Sequence, residues 1–502
     1  MEGPAYLILT PNGEALSLWF SLDEAIEAAY ELVPAGDIYV DAPSDKEYAA
    51  LSAAIKTPIA ANPRRLRVVD DSAQRGVQAL AKAMGREGRE RIIDWDESVH
   101  MSLDEAHARI EPMFPTRQPS AGRFKPVHNA TPNQMTRSFL GTNYKTGKGT
   151  PNRIISKLKS MTGFSGARVL GLTLLPNTQS FSDPRVRSAL RDATKLYGVQ
   201  RVLDTRLNSC LRATAECASS CLSFSGNNMN SDYNAVSKFC TTQALVHEPE
   251  AFVRVLIAAI AEHERKSIKA GKMPLIRLNV LSDIPWELII PELFTIFPEV
   301  QFYDYTKVPG RVVPDNYDLT FSFSGTNRNV DDMDSEIQIH GRRVAVVFAS
   351  SKIKELYEVQ YEVAPGVQRT VRTPTRGTAK IHAEREGVPF RSLGSQALPQ
   401  PLRYKRRKPG ATGQSDHNVR LPDEFLGLPV VDGDESDMRP YDDAPTIVGL
   451  RWKIPGLQGV TMEQVKAFVV LVHIVPSGGG HYHAIVPKTP RFDDFNYQVY
   501  EG

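Results

Sequence analysis

The stretch that decides the fold runs from residue 275 to residue 305 and reads LIRLNVLSDIPWELIIPELFTIFPEVQFYDY. Its first part, Leu275–Leu281, is a short, mostly apolar run typical of a buried strand. Glu287–Phe297 has the spacing of apolar residues that predicts an amphipathic helix, and Val300–Tyr305 predicts a second strand. A strand, a helix and a strand in this order predict two parallel strands joined by a right-handed crossover.

The same alternation continues on both sides of this stretch. Further strands are predicted at Ala167–Leu174, Tyr317–Phe323, Arg343–Phe348, Pro429–Val431 and Thr446–Leu450, and further helices at Asp183–Leu196, Glu248–Ala270 and Val330–Ile339. Because such crossovers place helices over a parallel sheet, we expect an α/β core. We also expect its sheet to close into a TIM-like barrel or half-barrel.

Changes in composition predict segments around this core. Residues 1–110 form a small accessory α/β domain, with strands at Tyr6–Leu9 and Ile38–Val40 and helices at Leu22–Leu32, Lys46–Ala54 and Ala73–Met84. Residues 111–165 are a basic linker or arm, and 166–351 with 421–455 are the core. Residues 352–420 are a basic, partly disordered insertion, because they are rich in Pro, Gly, Arg and Lys. Residues 456–502 are a C-terminal extension with one more strand, Ala467–Val475.

Charge is unevenly distributed along the chain, although the net charge is only +2. From Pro112 to Ser182 there is no acidic residue, and ten Lys and Arg residues alternate with aromatic ones. Such a segment is typical of proteins that neutralise phosphates and stack on bases, and also of a solvated linker. The run Arg403–Lys408 leaves the same two alternatives. We therefore expect nucleic acid or a nucleotide as the partner.

The location is predicted from what the sequence lacks. No stretch approaches 18 consecutive apolar residues, and Met1–Thr10 has neither the basic nor the long apolar region of a signal peptide. We expect no membrane partner and a location in the cytoplasm, where thiols stay reduced.

All four cysteines lie between positions 210 and 240. Cys210, Cys217 and Cys221 have the spacing C-x6-C-x3-C, and the last two share one side of a helical turn. Thiolates are soft ligands for zinc or an iron–sulfur cluster, and three of them leave an open coordination position. We predict a metal centre here. The alternative is a group of buried cysteines without a metal, and Cys240 is a candidate fourth ligand.

Polar residues follow the predicted strands at their carboxyl ends, where parallel sheets bind ligands. The candidate catalytic residues are Asp283, Glu287, Asp304, Lys307, Asp432 and Asp434, and Ser322 is a candidate cofactor-binding residue. Carboxylates gathered there act as general acid and base or bind a cation, and Lys307 is suited to holding a phosphate or carboxylate. The alternative is helix capping by acidic residues, which Asp283 before Pro285 also fits.

Two further motifs are rejected. Residues 141–150, GTNYKTGKGT, lack the spacing of a P-loop and the hydroxyl residue after Lys148. His481-Tyr482-His483 resembles the paired histidines of rolling-circle nucleases, but alternate residues of any strand share a face.

Several sequence blocks resemble those of one family. They are 142–146 (TNYKT), 172–176 (LTLLP), 208–221 (NSCLRATAECASSC), 277–279 (RLN), 282–287 (SDIPWE), 302–307 (FYDYTK), 316–322 (NYDLTFS), 344–348 (VAVVF), 431–439 (VDGDESDMR) and 448–453 (VGLRWK). In these blocks the chain is similar to mostly uncharacterised proteins encoded by tailed phages and mobile elements. The resemblance implies a bacteriophage source, the cytoplasm of a bacterial host and the three-cysteine site. It also makes Arg439 a candidate cofactor-binding residue.

The chain departs from this family near the cysteines. Leu211 stands where relatives have Pro, Gly226-Asn227-Asn228 where they have Gly-Arg-Gly, and Cys240 near a position where they have Lys. The last difference argues against Cys240 as an essential ligand.

Together these features predict a phage-encoded enzyme that depends on zinc or an iron–sulfur cluster and acts on nucleic acid or a nucleotide. One form is radical chemistry with S-adenosylmethionine, for which the spacing is unusual. Another is base exchange in DNA, with Asp283 or Asp432 as the nucleophile; this is an analogy at the level of the fold. The alternatives are a non-catalytic nucleic-acid-binding protein with a structural zinc, and a protein that binds a host partner.

Overall fold

A computed structural model describes a large part of the 502-residue chain. The described residues are 6–9, 15–19, 22, 25, 38–41, 46, 59–62, 65–68, 72–114, 140–142, 152–175, 209–213, 217, 221, 232–324, 327–364, 367–373, 376–400, 402, 419–452, 468–478 and 481–486. The helix predicted at Asp183–Leu196 and the basic run Arg403–Lys408 lie outside these residues, as do most of the helices predicted at Leu22–Leu32 and Lys46–Ala54.

The strands form two sheets. The first contains β1 (Tyr6–Leu9), β2 (Ala15–Trp19), β3 (Ile38–Asp41), β4 (Ile59–Asn62) and β5 (Arg65–Val68). The second contains β6 (Leu140–Thr142), β7 (Ala167–Leu172), β8 (Met273–Arg277), β9 (Gln301–Thr306), β10 (Tyr317–Ser322), β11 (Val344–Ala364), β12 (Val367–Thr373), β13 (Phe390–Gln400), β14 (Val419–Arg420), β15 (Glu424–Phe425), β16 (Leu428–Asp432), β17 (Ile447–Arg451), β18 (Val470–Gly478) and β19 (His481–Ile485). The small sheet is antiparallel in the order β2-β1-β3-β5-β4.

The helices, in chain order, are α1 (Ser72–Ala83), α2 (Trp95–His100), α3 (Leu103–Ile110), α4 (Asn152–Thr162), α5 (Asp232–His247), α6 (Pro249–Lys269), α7 (Trp286–Ile289), α8 (Glu292–Ile296), α9 (Asn327–Gln338) and α10 (Arg376–Glu386). No helix in the part of the chain listed above combines the length and apolar composition that crossing a membrane requires.

A parallel series of strands forms the middle of the large sheet. Its order is β16-β17-β11-β10-β9-β8-β7, and antiparallel β6 pairs with β7 at one edge. This confirms the α/β class and the parallel sheet. The predicted barrel is not closed, because no pairing among the described strands joins β6 to β16. The sheet branches at the 21-residue β11 instead: Phe348–Ser350 pair with β18, and the strand continues beyond them to pair with β13 and β12.

The deciding stretch differs from its prediction in detail. β8 ends at Arg277, and residues 278–285 form a loop held by the side chain of Asn279. The predicted helix is two short helices, α7 and α8, because Pro291 lacks the N–H that would continue the first.

The two faces of the parallel sheet are covered by different helices. On one, which we call the α6 face, Ile276, Phe302 and Tyr317 pack in a cluster that includes Phe252 and Leu256 of α6. On the other, the α4 face, Leu275 and Tyr303 pack with residues of α4 and with Met438 and Tyr441. Strand residues alternate between these faces, so neighbouring positions of one motif serve different surroundings.

Helices α1–α3 pack against the core helices. Leu80, Ile93 and Ile110 belong to the same apolar cluster as the α6 residues, and the Arg86 guanidinium pairs with Glu250 at the start of α6. The sequence analysis groups these helices with the rest of residues 1–110 as an accessory domain; in the structure their apolar side chains belong to the cluster that covers the α6 face of the parallel sheet.

Residues 352–400 form ordered structure, although the sequence predicts a low-order insertion there. The far half of β11 lies between antiparallel β12 and β13, and α10 packs Ala379 and Ala383 on Tyr357, Val359 and Tyr361. The alternation of apolar residues in β11 drives this folding, and the basic composition of the segment conceals it.

Candidate functional site

The loop after β8 brings one predicted metal ligand next to one predicted catalytic acid. The backbone of Cys210 pairs with that of Asp283 in a parallel bridge, and the Asp283 N–H donates to the Ser209 carbonyl at 2.6 Å. The Cys210 thiol lies 3.2 Å from the Leu281 carbonyl, to which it donates. The cysteine segment is thus joined to the carboxyl edge of the parallel sheet.

Arg311 holds the two acids of the SDIPWE block together. Its guanidinium donates to both oxygens of Glu287, at 2.9 and 2.6 Å, and to Asp283 Oδ1 at 3.2 Å. The other Asp283 oxygen accepts the backbone N–H of Lys307 at 2.7 Å. All three side chains are almost fully buried. Burial raises the pKa of Asp283, and Arg311, the foremost opposing influence, limits the rise.

Asp304 lies beside this network and anchors the loop. Its carboxylate accepts the backbone N–H groups of Leu278 and Asn279 and the Tyr317 hydroxyl, at 3.2, 2.9 and 2.9 Å. The residue is fully buried, and this burial raises the pKa of Asp304 to about 6 against the opposing charge of Arg277. These contacts favour a positioning role for Asp304.

Lys307 and Ser322 meet at the ends of β9 and β10. The Lys307 ammonium donates to Ser322 Oγ at 2.6 Å. The structure therefore places five predicted site residues at this edge: Asp283, Glu287, Asp304, Lys307 and Ser322.

Cys217 and Cys221 both lie within electrostatic reach of Cys210. Burial is the main cause that raises the pKa of the Cys210 thiol, and the charges of Cys221, Asp283 and Cys217 raise it further, while Lys307 lowers it. Cys221 also lies within reach of Lys238 in α5, whose pKa burial lowers to about 8. Cys240 is buried inside α5, in the main apolar cluster.

The donor chemistry of these thiols fits a soft metal ion, because three sulfurs gather in one region. Among the described residues, however, no three Cys, His, Asp or Glu side chains have the spacing of a metal site. Cys210, moreover, carries its proton towards Leu281. Binding a metal therefore requires the thiols to lose protons and to approach one another.

Two helices hold the cysteine segment from outside. The Leu211 side chain occupies the space beside Gly76 of α1, where a β carbon would lie 1.9 Å from Leu211 Cδ1. Arg212 forms an ion pair with Asp332 of α9 at 3.3 Å, and both side chains are mostly buried. Gly76 is therefore required by the close approach of the segment.

The remaining predicted residues lie in other networks. Asp432 accepts both terminal nitrogens of Arg451 at 2.8 Å, and Asp434 accepts the backbone N–H of Arg451 at 3.0 Å. Arg439 is buried on the α4 face, where it pairs with Asp442 at 2.7 Å and donates to the Ser436 carbonyl. The structure does not join Asp432 or Asp434 to Asp283 by any contact among the residues it describes.

Sequence reasoning missed Arg311, Asn279, Lys238 and Arg277. Arg311 lies in a loop without periodicity, so no strand-end argument reaches it. Arg277 and Asn279 lie in the RLN block, but the predicted strand ran through both of them. β8 ends at Arg277, four residues before the predicted end of the strand, so Asn279 lies in the loop and its side chain holds the loop backbone. Apolar periodicity alone does not reveal this role.

Comparison with known proteins identifies a family. A model of the gene product 88 family, a phage-type family, matches residues 182–456, which is more than half of the chain. The match includes the cysteine segment and strands β11–β13. It excludes the sequence blocks at 142–146 and 172–176. No curated protein and no solved structure matches the chain. The chain belongs to the gene product 88 family.

Proposed function

We propose that this member of the gene product 88 family is a phage enzyme that acts on nucleic acid or a nucleotide at the carboxyl edge of its parallel sheet. Cys210, Cys217 and Cys221 would hold zinc or an iron–sulfur cluster there. One observation carries the proposal: the backbone pairing of Cys210 with Asp283, with Lys307 beside them. It joins one of the three soft donors to a buried acid, and the charge of Lys307 acts on both.

Asp283 is the proposed acid–base group. A carboxyl group with a raised pKa exchanges protons closer to neutral pH than an ordinary aspartate does. Arg311 and Glu287 are positioning residues, since they fix the Asp283 carboxylate by charge-assisted hydrogen bonds. A metal bound by the three sulfurs would supply a Lewis acid or, as a cluster, a redox centre.

The charge of the insertion, residues 352–420, supports nucleic acid as the substrate class. Residues 352–420 contain 14 Lys and Arg against 6 Asp and Glu, a net charge of +8. Since the whole chain has +2, the remaining residues carry −6. Such asymmetry is typical of proteins that bind a polyanion with one segment.

A second candidate is a non-catalytic nucleic-acid-binding protein with a structural zinc. The hydrogen bonds of the three buried acids favour this second candidate, because Asp283, Glu287 and Asp304 all accept hydrogen bonds from protein groups. Carboxylates satisfied in this way also serve as a rigid frame.

Anaerobic purification of the full chain followed by analysis of metals and acid-labile sulfide tests the proposal. We expect one zinc or one cluster per chain, and its loss in Cys217→Ser. Cys240→Ala is the matched control, because Cys240 is fully buried in the apolar cluster and lies outside the proposed C-x6-C-x3-C ligand set, and it should keep the metal. Absence of metal from the wild-type protein, or equal metal in Cys217→Ser, overturns the metal centre.

Activity separates the two candidates. Wild-type protein and Asp283→Asn are incubated with oligonucleotides and nucleotides, and products are identified by mass spectrometry. Product formation by the wild type and its loss in a folded Asp283→Asn variant support an enzyme. Bound zinc with tight nucleic-acid binding and no product supports the second candidate.

A further inference from the structure

Arg277 ends β8 on the α4 face, and among the described residues its buried guanidinium has no partner within hydrogen-bond distance. The residue is 9% exposed, and its guanidinium carbon lies 5.0 Å from the ring centre of Tyr305 and 5.7 Å from that of Tyr303. The nearest carboxylate, that of Asp437, is 3.7 Å away, which is too far for a hydrogen bond. Among the described residues nothing accepts from Arg277 Nε, which is buried.

Polar groups next to Arg277 also lack partners. The buried hydroxyls of Tyr303 and Thr320 have no hydrogen-bond partner in the part of the chain that the structure covers. Thr320 of β10 is in register with Tyr305 of β9, so its side chain shares the α4 face with the tyrosines. The hydroxyl of Tyr303 is a neutral donor, because burial raises the pKa of this phenol far above its ordinary value.

Lys307 adds a second cation to this face. Lys307 directly follows β9, and its ammonium contacts the neutral hydroxyl of Ser322, which shares a face of β10 with Thr320. Its charge also acts on Asp283 and Cys210. Within the described residues, no carboxylate forms a salt bridge with its ammonium. Arg439 differs from Arg277 in its ion pair: Asp442 lies 2.7 Å away and the Ser436 carbonyl accepts from it, although its Nε and Nη1 also lack a hydrogen bond to the described residues. Unlike Arg439, Arg277 and Lys307 have no carboxylate oxygen within hydrogen-bond distance of their charged groups among the described residues.

A buried cation without hydrogen bonds is costly, so the fold is expected to supply an acceptor from elsewhere. We propose that Arg277 and Lys307 form a binding site for an oxyanion, a phosphate group, with the Tyr303 and Thr320 hydroxyls as further donors. Guanidinium and ammonium groups are the usual phosphate ligands, and the two tyrosine rings hold the guanidinium plane. Only the identity of the phosphate, as part of a nucleotide or nucleic acid, rests on the proposed function.

The carboxylate of Asp437, next to Arg277, provides a test of phosphate binding at this site. Its carboxylate lies close enough to repel an incoming phosphate while it weakly neutralises Arg277. If phosphate binds at Arg277, Asp437→Asn should raise its affinity by about fourfold, since one nearby negative charge is removed. If Asp437 is the true partner of Arg277, the same change should not improve phosphate binding.

The test is calorimetric titration of the full chain with inorganic phosphate and, separately, with a nucleoside monophosphate. We expect Arg277→Gln and Lys307→Gln each to weaken binding by about tenfold or more, because each removes charge-assisted hydrogen bonds. Arg265→Gln, which alters an exposed arginine paired with Glu262 on α6, is the matched control and should bind like the wild type. Circular dichroism confirms the fold of each variant.

Three outcomes overturn the site: no phosphate binding by the wild type, equal binding by Arg277→Gln and Arg265→Gln, or no gain in Asp437→Asn. The first means that ordered water alone satisfies Arg277. Tighter binding of the nucleotide than of inorganic phosphate places the phosphate in a nucleotide, and equal affinity assigns the site to free phosphate. Binding retained in Cys217→Ser, with no product in any assay, would keep the oxyanion site and reject the proposed enzyme.

Discussion

The two faces of one sheet edge handle buried charge in opposite ways. On the α6 face, Asp283 and Glu287 share Arg311, and Asp304 accepts four N–H or O–H groups, so each acid is matched by donors. On the α4 face, Arg277 and Lys307 carry positive charge without a hydrogen-bonded carboxylate. The matched face is built to be rigid, whereas the unmatched face is completed by a ligand. Both faces receive residues from the same short blocks of sequence.

The largest effect is expected from breaking the matched face. Arg311→Met leaves two buried carboxylates without their shared cation, which should lower the free energy of unfolding by about 3–5 kcal/mol. Urea denaturation measures this change. Arg265→Gln removes an exposed ion pair and should leave the urea midpoint unchanged. A loss as small as that of the control would mean that Arg311 does not hold the frame.

The network around Arg311 shows which features of the site can be predicted from the sequence and which cannot. The strand-end rule predicted Asp283, Asp304 and Lys307 at one edge, because parallel strands bring their carboxyl ends together, and at that edge Asp283 accepts the Lys307 N–H. It did not predict their bonding, since Arg311 enters from a loop whose path depends on tertiary packing. The same rule grouped Asp432 and Asp434 with them, but Arg451 on the neighbouring strand binds both acids locally.

Fold prediction failed where local and global signals differ. The elements of the parallel sheet follow from apolar periodicity, and most were located within a few residues. Closure into a barrel is a property of the whole sheet, and no pairing among the described strands closes it. The insertion, residues 352–420, was predicted to be partly disordered because of its basic composition. That prediction did not take into account the alternating apolar residues Tyr357, Val359 and Tyr361, which pack together in the structure.

The second-largest effect is expected from the buried acid Asp304, whose contribution to stability depends on pH. The pKa of Asp304 is about 6 in the folded protein against an ordinary 3.8, so the folded state binds a proton that the unfolded state lacks between these values. Its contribution is therefore fully present below pH 3.8 and is lost as the pH rises through 6, by about 3 kcal/mol.

Urea denaturation of the wild type and of Asp304→Asn between pH 3.5 and pH 7 measures this contribution, because the other titrating groups largely cancel in the difference. We expect the stability advantage of the wild type over the variant to shrink as the pH rises. A difference that does not change with pH contradicts the raised pKa of Asp304.

The smallest effect on stability is expected on the unmatched face. Arg277→Met removes a buried cation that forms no hydrogen bond with the described residues, so the free energy of unfolding should change by no more than about 1 kcal/mol, with either sign. The same variant should bind phosphate poorly. It should also raise the pKa of Asp304, because the Arg277 charge lowers that pKa across the sheet. A loss of stability equal to that of Arg311→Met would show that both faces are structural frames, since only a guanidinium already satisfied within the fold stabilises it that strongly.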